Sequence, residues 1–168
     1  FARMRRSDHS LLPPVPAATI AFKSPNACNL CHTDRDATWA DENVRKWRKR
    51  DYQAPFLHRA GLVDAARKRD WSKLPETAAY LKSPGRDEVF AASLIRLLRA
   101  CPRQEKWPMI LGAMSDPSPL VRSAAAEALA DLPSGKARQA LVKAAGDDYR
   151  LVRVRAAASL AGFPRAAI

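Results

Sequence analysis

Apolar and polar positions follow three regimes along the chain. Residues 1–27 carry no helical period: Pro13, Pro14, Pro16 and Pro25 interrupt the segment, and Leu11, Leu12, Val15, Ile20 and Phe22 are scattered between them. Proline fixes φ, lacks a backbone N–H and pushes the preceding residue out of the α region. This stretch is therefore expected to run as an extended strap, docked through its apolar residues. From Thr38 the period becomes helical, with Trp39, Val44 and Trp47 on overlapping turns. A second helix is predicted over Pro55–Lys68, with Pro55 in its first turn and Phe56, Leu57, Ala60 and Val63 as its apolar stripe. A short helix around Pro75–Leu81 should end before Ser83-Pro84-Gly85.

Beyond this point the chain repeats itself. Asp116–Pro133 aligns with Asp147–Pro164 at an offset of 31 residues, matching Leu120 with Leu151, Val121 with Val152, Arg122 with Arg153, Ala125 with Ala156 and Leu129 with Leu160. The same shift places Val89 on Leu120 and Pro102 on Pro133. A fixed period of this size is the signature of a helical solenoid. Asp-Pro is expected to cap and preset each repeating helix, and the Ala-rich stretch to allow close helix packing. Companion helices are predicted over Trp107–Met114 and Ala137–Ala145, with Gly85, Gly135, Gly146 and Gly162 at helix stops. The pattern Asp-x-x-x-Leu-Val-Arg-x-x-Ala-Ala in Asp116–Ala126 and Asp147–Ala157 resembles HEAT repeats of the short bacterial type, over about residues 85–168.

Composition narrows the class. Of 168 residues, 47% are hydrophobic and 27% charged, which excludes general disorder. No apolar run approaches the roughly 18 residues of a membrane span. Three cysteines do not make a disulfide framework. The sequence opens at Phe1 without a signal-peptide pattern, and is read as a piece of something longer. Lys and Arg number 29 against 17 Asp and Glu, a net charge of +12. The basic residues lie in separate runs at Arg3–Arg6, Arg45–Arg50 and Arg67–Arg69, interleaved with helix positions. Such runs are first read as solvated helix faces, with an acidic redox partner, a sibling domain or phosphate as alternatives.

One motif carries chemistry. Cys28-Asn29-Leu30-Cys31-His32 is Cys-x-x-Cys-His, the attachment signature of a c-type haem. Two thiols one helical turn apart can each add to a haem vinyl group, and the adjoining His32 can ligate the iron. A bare Cys pair also occurs in zinc half-sites and dithiol redox sites. Zinc would need four ligands, with only His9, His58 and Cys101 left to supply the rest, and a thioredoxin-like pair would want strands that the pattern lacks.

The wider stretch Met4-Arg5-Arg6-Ser7-Asp8-His9-Ser10, then Pro13-Pro14, Phe22 to His32, Asp36 and Trp39-Ala40 resembles the C-terminal haem region of multihaem c-type cytochromes related to the cytochrome c554 group. The resemblance covers about residues 1–50. In that family the region is often followed by helical repeats. It implies a covalent haem c, further haems upstream in a parent chain, and electron transfer with a redox protein or a sibling haem domain. Haem c attachment takes place outside the cytoplasm, which implies a periplasmic or other extracytoplasmic setting.

For the sixth iron ligand the candidate placed first is His9, on a strap long enough to fold back over the porphyrin; His58 on the second helix is the alternative. Met4 is a further candidate, whereas Met109 and Met114 suit a repeat core better. An open position would turn the function towards ligand binding or catalysis. Trp39 and Trp47 are expected to cover a haem edge, and Trp71, Trp107 and Cys101 to pack among helices. Arg122 and Arg153 are expected to pair with Asp116 and Asp147 of neighbouring repeats. No nucleophile–base–acid set and no Gly-rich phosphate loop is present, so a carrier is favoured over a catalyst.

The expectation is thus an all-α protein: a haem-binding strap over 1–50, connecting helices over 51–84 and a HEAT-like solenoid over 85–168. Its expected function is electron transfer. The competing readings are a protein- or nucleic-acid-binding solenoid without a redox role, the nucleic-acid form being disfavoured, and an open-site haem enzyme domain.

Overall fold

The structure is a computed structural model that describes residues 13–163. Every regular element among these residues is helical. The chain divides into two compact units between His58 and Arg59.

The first unit contains α1 (Pro16–Phe22), α2 (Cys28–Cys31), α3 (Ala37–Trp47) and the start of α4 (Gln53–Arg67). The strap is not extended throughout, as its prolines led us to expect, because α1 lies inside it. Pro16 occupies the first helical turn, where an N–H would have no intrahelical partner in any case, so the residue starts the helix instead of preventing it. Lys23 ends α1 in the left-handed conformation (φ 57°), its N–H bonded to Thr19 O at 2.8 Å. Leu11 and Leu12 lie outside the described residues; among those described, the docked residues also differ from the expected set. Pro16, Ala17 and Ala18 are buried while Ile20 is exposed, because small residues let α1 approach α3 closely, where Ala40 and Val44 are buried.

α3 begins at Asp36, whose side chain accepts from Trp39 N at 2.8 Å, and it ends with Arg45 and Lys46 at the negative end of the helix dipole. Gln53, 1% exposed, ties the unit together. Its Oε1 accepts from Ala17 N (3.1 Å) and its Nε2 donates to Asp41 Oδ1 (2.6 Å). The strap is also held at Tyr52, whose hydroxyl donates to Pro14 O.

In the second unit, α5 (Leu74–Lys82), α7 (Lys106–Ala113) and α9 (Gly135–Ala144) alternate with α6 (Glu88–Leu98), α8 (Pro119–Ala128) and α10 (Arg150–Ala161). The starts of α6, α8 and α10 keep the period read from the sequence. These three helices stack on one another, and the core runs along their contacts. Ile95, Leu98, Val121, Leu129, Leu141 and Val152 are buried, with Ala91, Ala92, Ala124, Ala125, Ala126 and Ala156 filling the closest approaches. Ser159 Oγ donates to Ala126 O (2.8 Å) across the α8–α10 contact. Lys106 is buried, with Nζ donating to Cys101 O (2.6 Å) and Arg99 O (2.9 Å) beyond the end of α6.

Two local expectations change, and the pairing expected of the repeating arginine is met by Arg122 with Asp147 but not by Arg153. Asp116-Pro117 does not cap α8: the N-cap is Ser118, and Asp116 Oδ1 accepts from Ser118 N in the preceding turn. Gly135 opens α9 instead of ending a helix. The repeating arginine takes the carboxylate of the following repeat and the carbonyls of its own. Arg122 holds Asp147 with two N–H groups (2.8 and 2.9 Å) and donates to Asp116 O and Pro117 O, while Arg153 donates to Asp147 O and Asp148 O. The Asp116 carboxylate is taken by Arg86 from the loop after α5. That loop turns at Gly85, whose φ of +67° favours glycine.

Candidate functional site

The Cys-x-x-Cys-His motif forms a single helical turn. α2 spans the two cysteines, and His32 closes it by donating its N–H to Cys28 O (2.9 Å). A four-residue turn has little stability of its own; two asparagines hold it. Asn26 Oδ1 accepts from Asn29 N (3.2 Å), and Asn26 Nδ2 donates to Thr19 Oγ1 (2.9 Å) on α1 and to Asn29 Oδ1 (2.8 Å). Asn29 Nδ2 donates to Arg35 O (2.8 Å) in the turn that leads to α3. The motif is thereby fastened to the helix before it and the loop after it.

Cys28 is half-buried and Cys31 exposed, and both thiols are free. They open, with His32, onto one pocket of about 310 Å³. Its other walls come from Ala27 and from Trp39, Ala40, Asn43 and Trp47, which lie on one face of α3. The His32 imidazole packs against the Trp39 indole, ring centres 4.8 Å apart and planes tilted by 53°. Trp47 stands at the rim, 72% exposed.

Asp41, on the same helix, accepts from Arg45 Nε (2.7 Å) as well as from Gln53. Burial pushes its carboxyl up, but the bonds from Arg45 and Gln53 outweigh this and hold it below the ordinary value. The charge is thus kept where it anchors the helix that carries both tryptophans.

The sequence-predicted site residues separate into three groups. Cys28, Cys31, His32, Trp39 and Trp47 come together at the pocket. His9 and Met4 lie outside the described residues. His58 is exposed on α4 and does not line the pocket, while Met109, Met114, Trp71, Trp107 and Cys101 belong to or pack on the solenoid core. Asn26, Asn29 and Gln53 were missed as supports of the site. Pro25-Asn26 ahead of the motif is a turn signal that could have pointed to the first; Gln53 gives none, since its partners are distant in sequence. Among the described residues no group of three or more His, Cys, Asp and Glu side chains is placed to hold a bare metal ion.

A family model for HEAT repeats matches residues 74–161, just over half of the chain, and the chain belongs to that family. The matched stretch runs from α5 through α10, which is the second unit's alternating stack. Neither a curated protein nor a solved structure matches the chain significantly.

Proposed function

We propose that the first unit is a c-type haem module and that the protein transfers electrons, with its HEAT repeats docking a protein partner or a sibling domain. One observation carries this reading. Cys28, Cys31 and His32 line a single pocket whose other walls are Ala27, Ala40, Asn43, Trp39 and Trp47, and this donor set and largely apolar wall fit a flat apolar group held by two thioether bonds. Ordinary dithiol or zinc chemistry has no need of two indoles beside the cysteines.

A haem held there supplies one-electron cycling between ferric and ferrous iron. The residues have separable tasks. Cys28 and Cys31 would anchor the group covalently, and His32 would ligate the iron through an imidazole nitrogen. Trp39 supports that imidazole from the side and, with Trp47 and Ala40, would keep water from the group's edge. Asn26 and Asn29 keep the three donors in register. His9 is proposed as the second axial ligand. The setting is extracytoplasmic, where thiols and haem meet.

The test is expression of the chain with a cytochrome c maturation system in a bacterial periplasm, followed by an absorption spectrum in alkaline pyridine. A haem c band that is lost on Cys28→Ala together with Cys31→Ala is the expected result. Colourless wild-type protein from a host that matures a control cytochrome overturns the reading. The HEAT assignment would survive that outcome, leaving a protein-interaction solenoid.

A further inference from the structure

The end of α3, where Trp47 lines the pocket, carries unbalanced charge. Along α3 and just beyond it, Arg45 is neutralised by Asp41 (2.7 Å) and Asp51 (3.6 Å). Lys46, Arg48, Lys49 and Arg50 are all exposed, and none forms an ion pair with a described residue. Four like charges within five positions repel one another, and an ordinary solvated face intersperses both signs as Asp41 and Arg45 do. In their midst stands Trp47, 72% exposed, on the wall shared with Cys28, Cys31 and His32. An exposed indole among arginines is the composition of a binding hot spot rather than of an idle surface.

We propose that Trp47 with Lys46, Arg48, Lys49 and Arg50 is the docking surface for the acidic face of an electron-transfer protein; this rests on the haem reading above. The chemistry selects a protein over the other anionic surfaces. The patch reaches the cysteine–histidine pocket through Trp47, which lines it, and a phosphate backbone or lipid headgroup has no electron to exchange there. Docking would bring the partner's reduced centre to the pocket, where a haem held by Cys28, Cys31 and His32 would accept one electron from it, with no bond broken and no proton moved. The cations would raise the encounter rate by attracting the partner, and Trp47 would supply the dry contact.

The experiment compares the haem-loaded chain with a variant carrying Lys46→Gln, Arg48→Gln, Lys49→Gln and Arg50→Gln, whose haem content and helicity are checked first. Ferrous protein is oxidised in a stopped-flow instrument by anionic ferricyanide and by cationic tris(phenanthroline)cobalt(III). Poly-glutamate is titrated separately while the Trp47 indole N–H signal is followed. Ferricyanide should react about ten-fold more slowly with the variant, and the wild-type rate should fall with added salt, while the cobalt complex shows the opposite trend. Poly-glutamate should shift the Trp47 signal in the wild type alone. Equal rates and salt slopes for the two oxidants overturn the proposal. So does poly-glutamate binding that leaves Trp47 untouched, or tighter binding of anionic vesicles or duplex DNA at this patch. Absence of the haem band defeats the cytochrome reading instead, and the poly-glutamate titration of the colourless chain still decides whether the surface takes acidic protein.

Discussion

Replacing Arg122 by methionine should unlock the solenoid at a single joint. The substitution keeps the apolar stem, so the effect isolates the guanidinium. That group makes two N–H bonds to the Asp147 carboxylate at 2.8 and 2.9 Å, and its third nitrogen donates to Asp116 O and Pro117 O at 2.8 and 3.0 Å. The two side chains are 15% and 13% exposed, so the pair lies far from the exposed regime in which ion pairs contribute about 0–1 kcal/mol. Removing one partner of a buried pair costs about 3–5 kcal/mol. Because Asp147 keeps the bond from Tyr149 N (2.9 Å) and retains some water, about 3 kcal/mol is expected. For a unit of this size that is a fall in Tm of roughly 12 °C. Thermal and urea unfolding followed by circular dichroism give the value. A cycle with Asp147→Asn should return a coupling of about 2 kcal/mol. The pH dependence supplies an independent check. The Arg122 hydrogen bond holds the Asp147 carboxyl below its ordinary value of 3.8. Its contribution is therefore complete above that pH and is lost as pH falls through the lower folded value. The gap between wild type and Arg122→Met should close in that acid range. A loss under about 1 kcal/mol that does not change with pH would refute the reasoning.

Gln53→Ala removes a buried amide that satisfies both Ala17 N and Asp41; it should cost about 2–3 kcal/mol in the first unit and speed hydrogen exchange at the Ala17 amide. Ser159→Ala leaves the buried Ala126 carbonyl without its donor; about 1–2 kcal/mol is expected in urea unfolding. Trp39→Ala removes the ring packed on His32. In the haem-loaded chain it should leave the pyridine spectrum unchanged but lower the midpoint potential, because water admitted to the site favours the ferric charge; an unchanged potential in a redox titration would show that Trp39 does not shield the group.

The solenoid was legible because its code is local and redundant. Leu-Val-Arg-x-x-Ala-Ala recurs with its period intact, its second position is buried as Val121 and Val152 and its first alanine as Ala125 and Ala156, and α6, α8 and α10 begin at the same spacing. The partners of Arg122 were half legible. The pairing with a neighbouring repeat's aspartate holds for Arg122 and Asp147, whereas its bonds to the carbonyls of its own repeat depend on local turn geometry that is not written in the spacing. For the same reason Arg86 was missed as the partner of Asp116, since it stands outside the repeated pattern. The strap failed for a different cause. Proline was counted as a barrier at every position, although at a first helical position it favours the helix, and Pro16 stands there.

At the candidate site, spacing marked which residues share the pocket but not what supports them. Cys28, Cys31 and His32 are recognisable in any context because the proposed haem attachment would need them adjacent, and Trp39 and Trp47 followed from their helical period. Gln53 was invisible, because a polar residue near a helix start is ordinary until Ala17 and Asp41 close around it. This division has a consequence for engineering. The motif could be grafted as five residues, but the turn that presents it depends on Thr19, Asn26, Arg35 and, through α1 and α3, on Gln53. A graft of Cys28–His32 alone would carry the donors without the framework that aims them into one pocket. Moving residues 16–53 as a block keeps each of these hydrogen bonds within the transplanted piece, so the block and not the motif is the unit on which haem attachment should depend.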